Sequence, residues 1–165
     1  MVVVLMGVCG CGKTTVGRAL AADLGWPFLD ADDFHPEANV AKMRAGIALT
    51  DDNRWPWLDR LAAEMATINA RGAHAVLACS ALRQAYRDRL ARGGDVRFVH
   101  LKGDRATLAP RIKARTGHYM PESLLDSQLG TLEEPADALV VDVRLTIAEQ
   151  VAAIRSQLVL TPIAP

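Results

Sequence analysis

Val2 through Met6 is an unbroken apolar run, rich in β-branched residues, that ends at glycines. Such a run has no polar face to offer water, so it predicts a strand buried on both faces of a parallel sheet. Runs of the same kind return at Pro27–Leu29, Ala75–Ala78, Val96–Leu101 and Ala138–Val143. Between them the apolar spacing turns helical. Lys13 to Leu24 is one such segment, and after Pro56 the residues Trp57, Leu58, Leu61, Met65 and Ile68 share one helix face. Parallel strands need crossover connections, which are usually helical, so the alternation predicts an α/β fold: a five-stranded parallel sheet covered by helices on both faces.

Local signals refine the boundaries. Pro56 is expected to open its helix, since proline lacks only an N–H that a first turn leaves unused. Thr146 with Glu149 reads as a capping box, and Gly46 and Gly72 read as helix stops. Pro110 would sit six residues into a helix capped by Asp104, at a cost of about 3 kcal/mol, so Thr107 is the expected cap. Phe34, Met43, Trp55 and Trp57 read as packing residues. With no repeat, linker or low-complexity tract, residues 1–165 read as one domain with a frayed tail from Thr161.

Composition narrows the classes of function. Lys plus Arg and Asp plus Glu are equal at 19 each, so no global field exists to hold nucleic acid or an anionic membrane, and any basic site must be local. The apolar start is too short for a secretory signal, and no later run approaches a membrane span, so a cytoplasmic address is expected. The cysteines, at 9, 11 and 79, form neither a disulfide framework nor a metal-ligand spacing. Cys9 and Cys11 are either ionisable at the positive end of a helix or inert and buried.

The most specific chemistry follows the first strand. Gly7-Val8-Cys9-Gly10-Cys11-Gly12-Lys13-Thr14 satisfies G-x-x-x-x-G-K-[ST] between a predicted strand and a predicted helix. The glycines let backbone N–H groups turn inward around phosphate oxygens, and the following helix adds its positive end. Gly7 through Thr15 is the candidate ATP-phosphate site: Lys13 supplies charge to the outer phosphates, and Thr14 offers its hydroxyl to Mg²⁺. Asp30 and Asp32 end the second predicted strand, where parallel-sheet ligands collect. If the strand persists they point the same way, one toward Mg²⁺ and one toward an acceptor hydroxyl; the plainer alternative is that they cap the next helix.

From Asp30 onward the chain resembles a known family. The run through Asn39-Val40-Ala41-Lys42-Met43-Arg44, Thr50-Asp51-Asp52-Asn53-Arg54-Trp55-Pro56-Trp57, Cys79-Ser80-Ala81-Leu82-Arg83 and Tyr86-Arg87 is similar to the bacterial gluconokinases of the P-loop kinase superfamily. The likeness continues through Leu101-Lys102-Gly103, Arg111, Arg115, Gly117-His118-Tyr119-Met120-Pro121, Ser127-Gln128 and Leu132-Glu133-Glu134-Pro135. It implies the P-loop kinase fold with a mobile lid, here around 111–121, phosphorylation of D-gluconate at its 6-hydroxyl by ATP and Mg²⁺, and a possible homodimer.

By position, the resemblance makes Asp30 the carboxylate near Mg²⁺, with Thr14. Lys13, Asp32 and Arg115 become the catalytic set, and Arg111 a nucleotide contact. His35, Lys42, Arg54, Arg83, Arg87, His118 and Gln128, with Asp32, become substrate contacts. Asn53 stands where the family usually carries an aspartate. Other readings remain: a kinase of the same fold for shikimate or a nucleoside monophosphate, a nucleotide-driven switch or assembly ATPase, or a binding module without catalysis.

Overall fold

The computed structural model describes residues 1–45, 47–114 and 122–162. Five strands, β1 (Val2–Met6), β2 (Phe28–Asp30), β3 (Ala75–Ala78), β4 (Val96–Lys102) and β5 (Leu139–Asp142), form one sheet in the order β2-β3-β1-β4-β5. All four pairings are parallel. The chain leaves β1 toward one side of the sheet and later crosses to the other through β4. The loops above the carboxyl end of β1 therefore diverge, which is where open α/β sheets hold ligands.

Seven α-helices are described: α1 (Lys13–Leu24), α2 (Glu37–Arg44), α3 (Asp51–Ala70), α4 (Gln84–Ala91), α5 (Arg105–Lys113), α6 (Glu122–Thr131) and α7 (Ile147–Leu158). The period-two geometry of β1 divides the core. Val3 and Leu5 pack with Val16, Leu20 and Leu24 of α1, Leu108 and Ile112 of α5, and Ile154 of α7. Val2, Val4 and Met6 pack on the opposite face with Trp57, Leu58, Leu61 and Met65 of α3 and Leu90 of α4. Helices thus cover both faces, as the sequence predicts. Among the described residues no helix is long and apolar enough to cross a membrane.

Two helices start earlier than the prolines predict. Helix α3 begins at Asp51 because Thr50 and Asn53 make a reciprocal capping box, with Asn53 N to Thr50 Oγ1 at 3.4 Å and Thr50 N to Asn53 Oδ1 at 3.3 Å. Helix α5 is capped by Asp104, whose Oδ1 accepts from Thr107 N at 2.8 Å, so Thr107 is not the cap. Pro56 and Pro110 each occupy the sixth position of their helix. One missing N–H near the start of a helix costs less than losing the cap and the whole first turn. The Thr146–Glu149 box forms as predicted, and Gly72 follows α3 at φ 65°. Gly46 lies outside the described residues. Met43 is 41% exposed rather than packed, whereas Phe34 lies against the α3 face of the core.

Candidate active site

The Gly7–Thr14 loop runs from β1 into α1 over the carboxyl edge of the sheet. Its path demands glycine. Gly7 lies at φ 138°, and a Cβ there would come within 2.8 Å of Leu101 O; Gly10 lies at φ 79°, with Ile112 Cγ1 2.8 Å from where its Cβ would be. Lys13 folds back over the loop, donating from Nζ to Gly7 O at 2.9 Å and Val8 O at 3.1 Å. Phosphate oxygens entering the loop compete for the same ammonium. Cys9 and Cys11 are buried in the α1 face of the core, which favours the inert reading of their thiols.

Asp30 ends β2 and takes on two tasks at once. Its Oδ2 accepts from Thr14 Oγ1 at 3.4 Å, and its Oδ1 caps a 3-10 turn over Ala31–Phe34 by accepting from Asp32 N at 3.1 Å. The strand therefore does not persist to Asp32, and the two carboxylates do not project in parallel as the sequence suggests. A cap turns the chain sharply instead, leaving Asp32 beside the phosphate loop within the fields of Asp30, His35 and Lys13. Surrounding protein, and then the Asp30 charge, push the Asp32 carboxyl above its ordinary value. The side chain is still 86% exposed to water, which tempers that rise.

The turn carrying Asp32 is fastened to α3. Trp57 Nε1 donates to Ala31 O at 2.8 Å, and the Trp57 ring stacks on His35 with centroids 4.3 Å apart. His35 is nearly enclosed, its Nε2 lies 4.0 Å from Asp32 Oδ1, and burial depresses its pKa, so it is neutral at neutral pH. Lys42 Nζ donates to Asn53 Oδ1 at 2.9 Å. Asn53 thereby joins the α3 cap to α2, a structural employment that does not need the family's usual aspartate.

Arg54 and Arg83 converge from different elements. Both donate to Asp51, at 3.4 and 2.8 Å, and Tyr86 Oη donates to the same carboxylate at 2.5 Å. Arg87, expected on the acceptor, is buried and spent elsewhere: NH1 donates to Ala81 O and Leu82 O at 3.0 and 3.1 Å, and Nε and NH2 donate to Gln84 Oε1. It holds the loop that presents Arg83, including Ala81 at a strained φ of 43°. Gln128 Oε1 accepts from Cys9 N at 2.7 Å, which puts α6 on the phosphate loop. Arg111 donates to Val143 O at 2.7 Å, next to the carboxyl end of β5. Thr15 is exposed in the first turn of α1. Arg115 and His118 lie outside the described residues.

The structure thus gathers Lys13, Thr14, Asp30, Asp32, His35, Lys42, Arg54 and Arg83 along one edge. The family model described as "AAA domain" matches residues 2–135. The gluconokinase of Gluconobacter oxydans is 50% identical over 137 residues, 81% of this chain and 76% of that protein. The thermosensitive gluconokinase of Escherichia coli is 41% identical over 155 residues, 93% of this chain and 83% of that protein. The chain belongs to the gluconokinase family. The crystal structure of a gluconokinase from Sinorhizobium meliloti superposes with a TM-score of 0.85 at 43% identity, covering 95% of this chain and 90% of that one. Gluconokinases have the P-loop kinase fold, whose members work with ATP and a divalent metal ion.

The residues fit that pair of ligands. Positive φ at Gly7, Gly10 and Gly12 gives the loop the turns a phosphate cradle needs, Lys13 Nζ lies on the loop, and Thr14 and Asp30 bring a hydroxyl and a carboxylate together. Among the described residues no group of three or more His, Cys, Asp or Glu could hold a metal ion. Sequence reasoning missed Asp51 and Tyr86. Both stand within the segments that carry the family likeness, but only the fold brings Asp51 at the start of α3 against Tyr86 of α4.

Proposed function

We propose that the protein is a gluconokinase that transfers the terminal phosphoryl group of ATP, with Mg²⁺, to the 6-hydroxyl of D-gluconate. The observation that carries this reading is that Asp32, fixed by the Asp30 cap with its Oδ1 4.0 Å from His35 Nε2, lies within the field of Lys13 of the phosphate loop, while His35 lies within that of Arg54. A base placed so is near both the phosphate loop that would hold the phosphoryl donor and an arginine suited to an acidic acceptor.

In this mechanism the loop N–H groups and Lys13 hold the ATP phosphates, and Thr14 and Asp30 hold the metal. Mg²⁺, when bound, offsets negative charge on the phosphate oxygens. Asp32 orients the acceptor hydroxyl and takes its proton as the acceptor oxygen bonds to the terminal phosphorus of ATP and the bond from that phosphorus to the bridging oxygen breaks, releasing ADP. Its raised pKa makes it a better proton acceptor than an ordinary aspartate. Neutral His35 and Lys42 meet hydroxyls, and Arg54 and Arg83 meet the carboxylate. Arg111 on α5 is assigned to the nucleotide, and Gln128 couples α6 to the phosphate loop and the sugar. We assign the chain one domain and a cytoplasmic address.

The test is an assay of the purified protein with MgATP against a panel of sugar acids, shikimate and nucleoside monophosphates, following ADP and the phosphorylated product by mass spectrometry. Formation of 6-phosphogluconate is expected. ATP turnover indifferent to any acceptor, or a preference for shikimate or a nucleotide, would overturn the reading.

A further inference from the structure

The cluster around Asp51 is built for more than joining two helices. Asp51 stands at the first position of α3; its Oδ1 accepts from Tyr86 Oη at 2.5 Å and Arg54 NH1 at 3.4 Å, and its Oδ2 from Arg83 NH1 at 2.8 Å. The Tyr86 ring lies beneath both guanidinium groups, its centroid 5.8 Å from Arg54 Cζ and 5.9 Å from Arg83 Cζ. Trp55 braces that ring edge-on at 5.6 Å. Among the described residues, every hydrogen bond of Arg54 and Arg83 uses NH1 alone. Among the described residues no hydrogen bond engages the Nε and NH2 edge of either guanidinium, the edge that can form a fork on a further carboxylate.

Two cations this close repel each other, and a flexible arginine pair normally loses much of its binding strength to side-chain ordering. Asp51 removes the repulsion, and the tyrosine ring limits where the guanidinium planes rest. Two arginines with one aspartate leave a single uncompensated positive charge, matched to one carboxylate. The hydrogen bond from Tyr86, foremost, and then the two arginines hold the Asp51 carboxyl below the usual range, so it remains an anion wherever the enzyme works. Arg54 also lies within the field of His35, whose neighbour is Asp32, so the cluster borders the acceptor side of the site.

We infer that Asp51 and Tyr86 are positioning residues that preset Arg54 and Arg83 as a receptor for the acceptor's carboxylate, and so determine selectivity for acidic over neutral polyols. The inference rests on the gluconokinase reading and names the part of the site that reads the acid.

The experiment compares gluconate with gluconamide, its neutral counterpart, as acceptors for wild type, Asp51→Asn and Tyr86→Phe, with thermal melting to verify folding. Each variant is expected to raise KM for gluconate about tenfold, the scale of one charge-assisted hydrogen bond, while KM for ATP stays put and the preference for gluconate over gluconamide falls by a similar factor. A purely structural staple would lower both acceptors' rates together and leave the preference unchanged. An unchanged or increased preference in the folded variants overturns the inference; if Asp51→Asn does not fold, Tyr86→Phe decides. Absence of gluconate phosphorylation by the wild type overturns the functional reading instead, so the two failures are distinct.

Discussion

Replacing Asp32 by asparagine is expected to move activity and stability in opposite directions. Asparagine keeps the size of the side chain, and the backbone bond from residue 32 to Asp30 Oδ1 at 3.1 Å does not depend on the substituted atoms. The variant loses the carboxylate proposed to take the acceptor's proton. Positioned bases contribute about 10² to 10⁴ in rate, so kcat is expected to fall at least about 100-fold, or roughly 2.7 kcal/mol of barrier. KM for ATP is expected to stay within about twofold, because Lys13, Thr14 and Asp30 are untouched.

Stability runs the other way. The folded Asp32 carboxyl binds its proton more tightly than the unfolded one, whose value is 3.8, so its favourable contribution is complete below 3.8 and is lost as pH rises through the higher folded value. At pH 7 the charged Asp32 is therefore a net cost that asparagine removes. With the side chain 86% exposed, solvent screening limits the gain to below about 1 kcal/mol, a rise in Tm of no more than about 2–4 °C. Steady-state kinetics with gluconate and melting curves at pH 4 and pH 7 read both effects: the gain should be present at pH 7 and shrink toward pH 4. Unchanged turnover would refute the assignment of the base, and a lower Tm at pH 7 would refute the electrostatic reasoning.

Val159 ends α7 at φ 53° while 82% exposed, a left-handed position that a β-branched residue occupies at a cost, so Val159→Gly is expected to stabilise by about 1 kcal/mol in urea unfolding, and destabilisation would contradict this. Gly17→Ala gains helix propensity but drives a Cβ to within 2.6 Å of Phe28 Cε2 and 3.3 Å of Leu5 Cδ1; overpacking of about 1–3 kcal/mol should win, and a raised Tm would show that the Phe28 ring moves aside freely. Cys9, Cys11 and Cys79 are buried, and burial pushes the Cys79 thiol up to about 12, so iodoacetamide at pH 8 should label the native protein negligibly and the unfolded protein fully; rapid native labelling by mass spectrometry would contradict the core placement.

Local and periodic information determined a great deal here. The apolar run at Val2–Met6, the glycine pattern into Lys13 and the alternation of strand with helix depend on neighbours within a turn or a pleat, so β1, α1 and the phosphate loop are readable from the chain alone. Capping is also local, and the Thr146–Glu149 box forms as read; Thr50 and Asn53 escaped notice because asparagine replaces the usual Glu or Gln of that signal. Tertiary structure decided what requires distant segments to meet. Asp30 can cap a turn or serve a metal by sequence, and it does the first while facing Thr14 because α1 packs against β3 and β2. Arg83 and Arg87 look alike in sequence, yet one reaches Asp51 across the fold while the other is buried on the carbonyls of its own loop. Charge partners of this kind are set by the geometry of the packed sheet and helices, where a few ångströms separate a receptor from a strut.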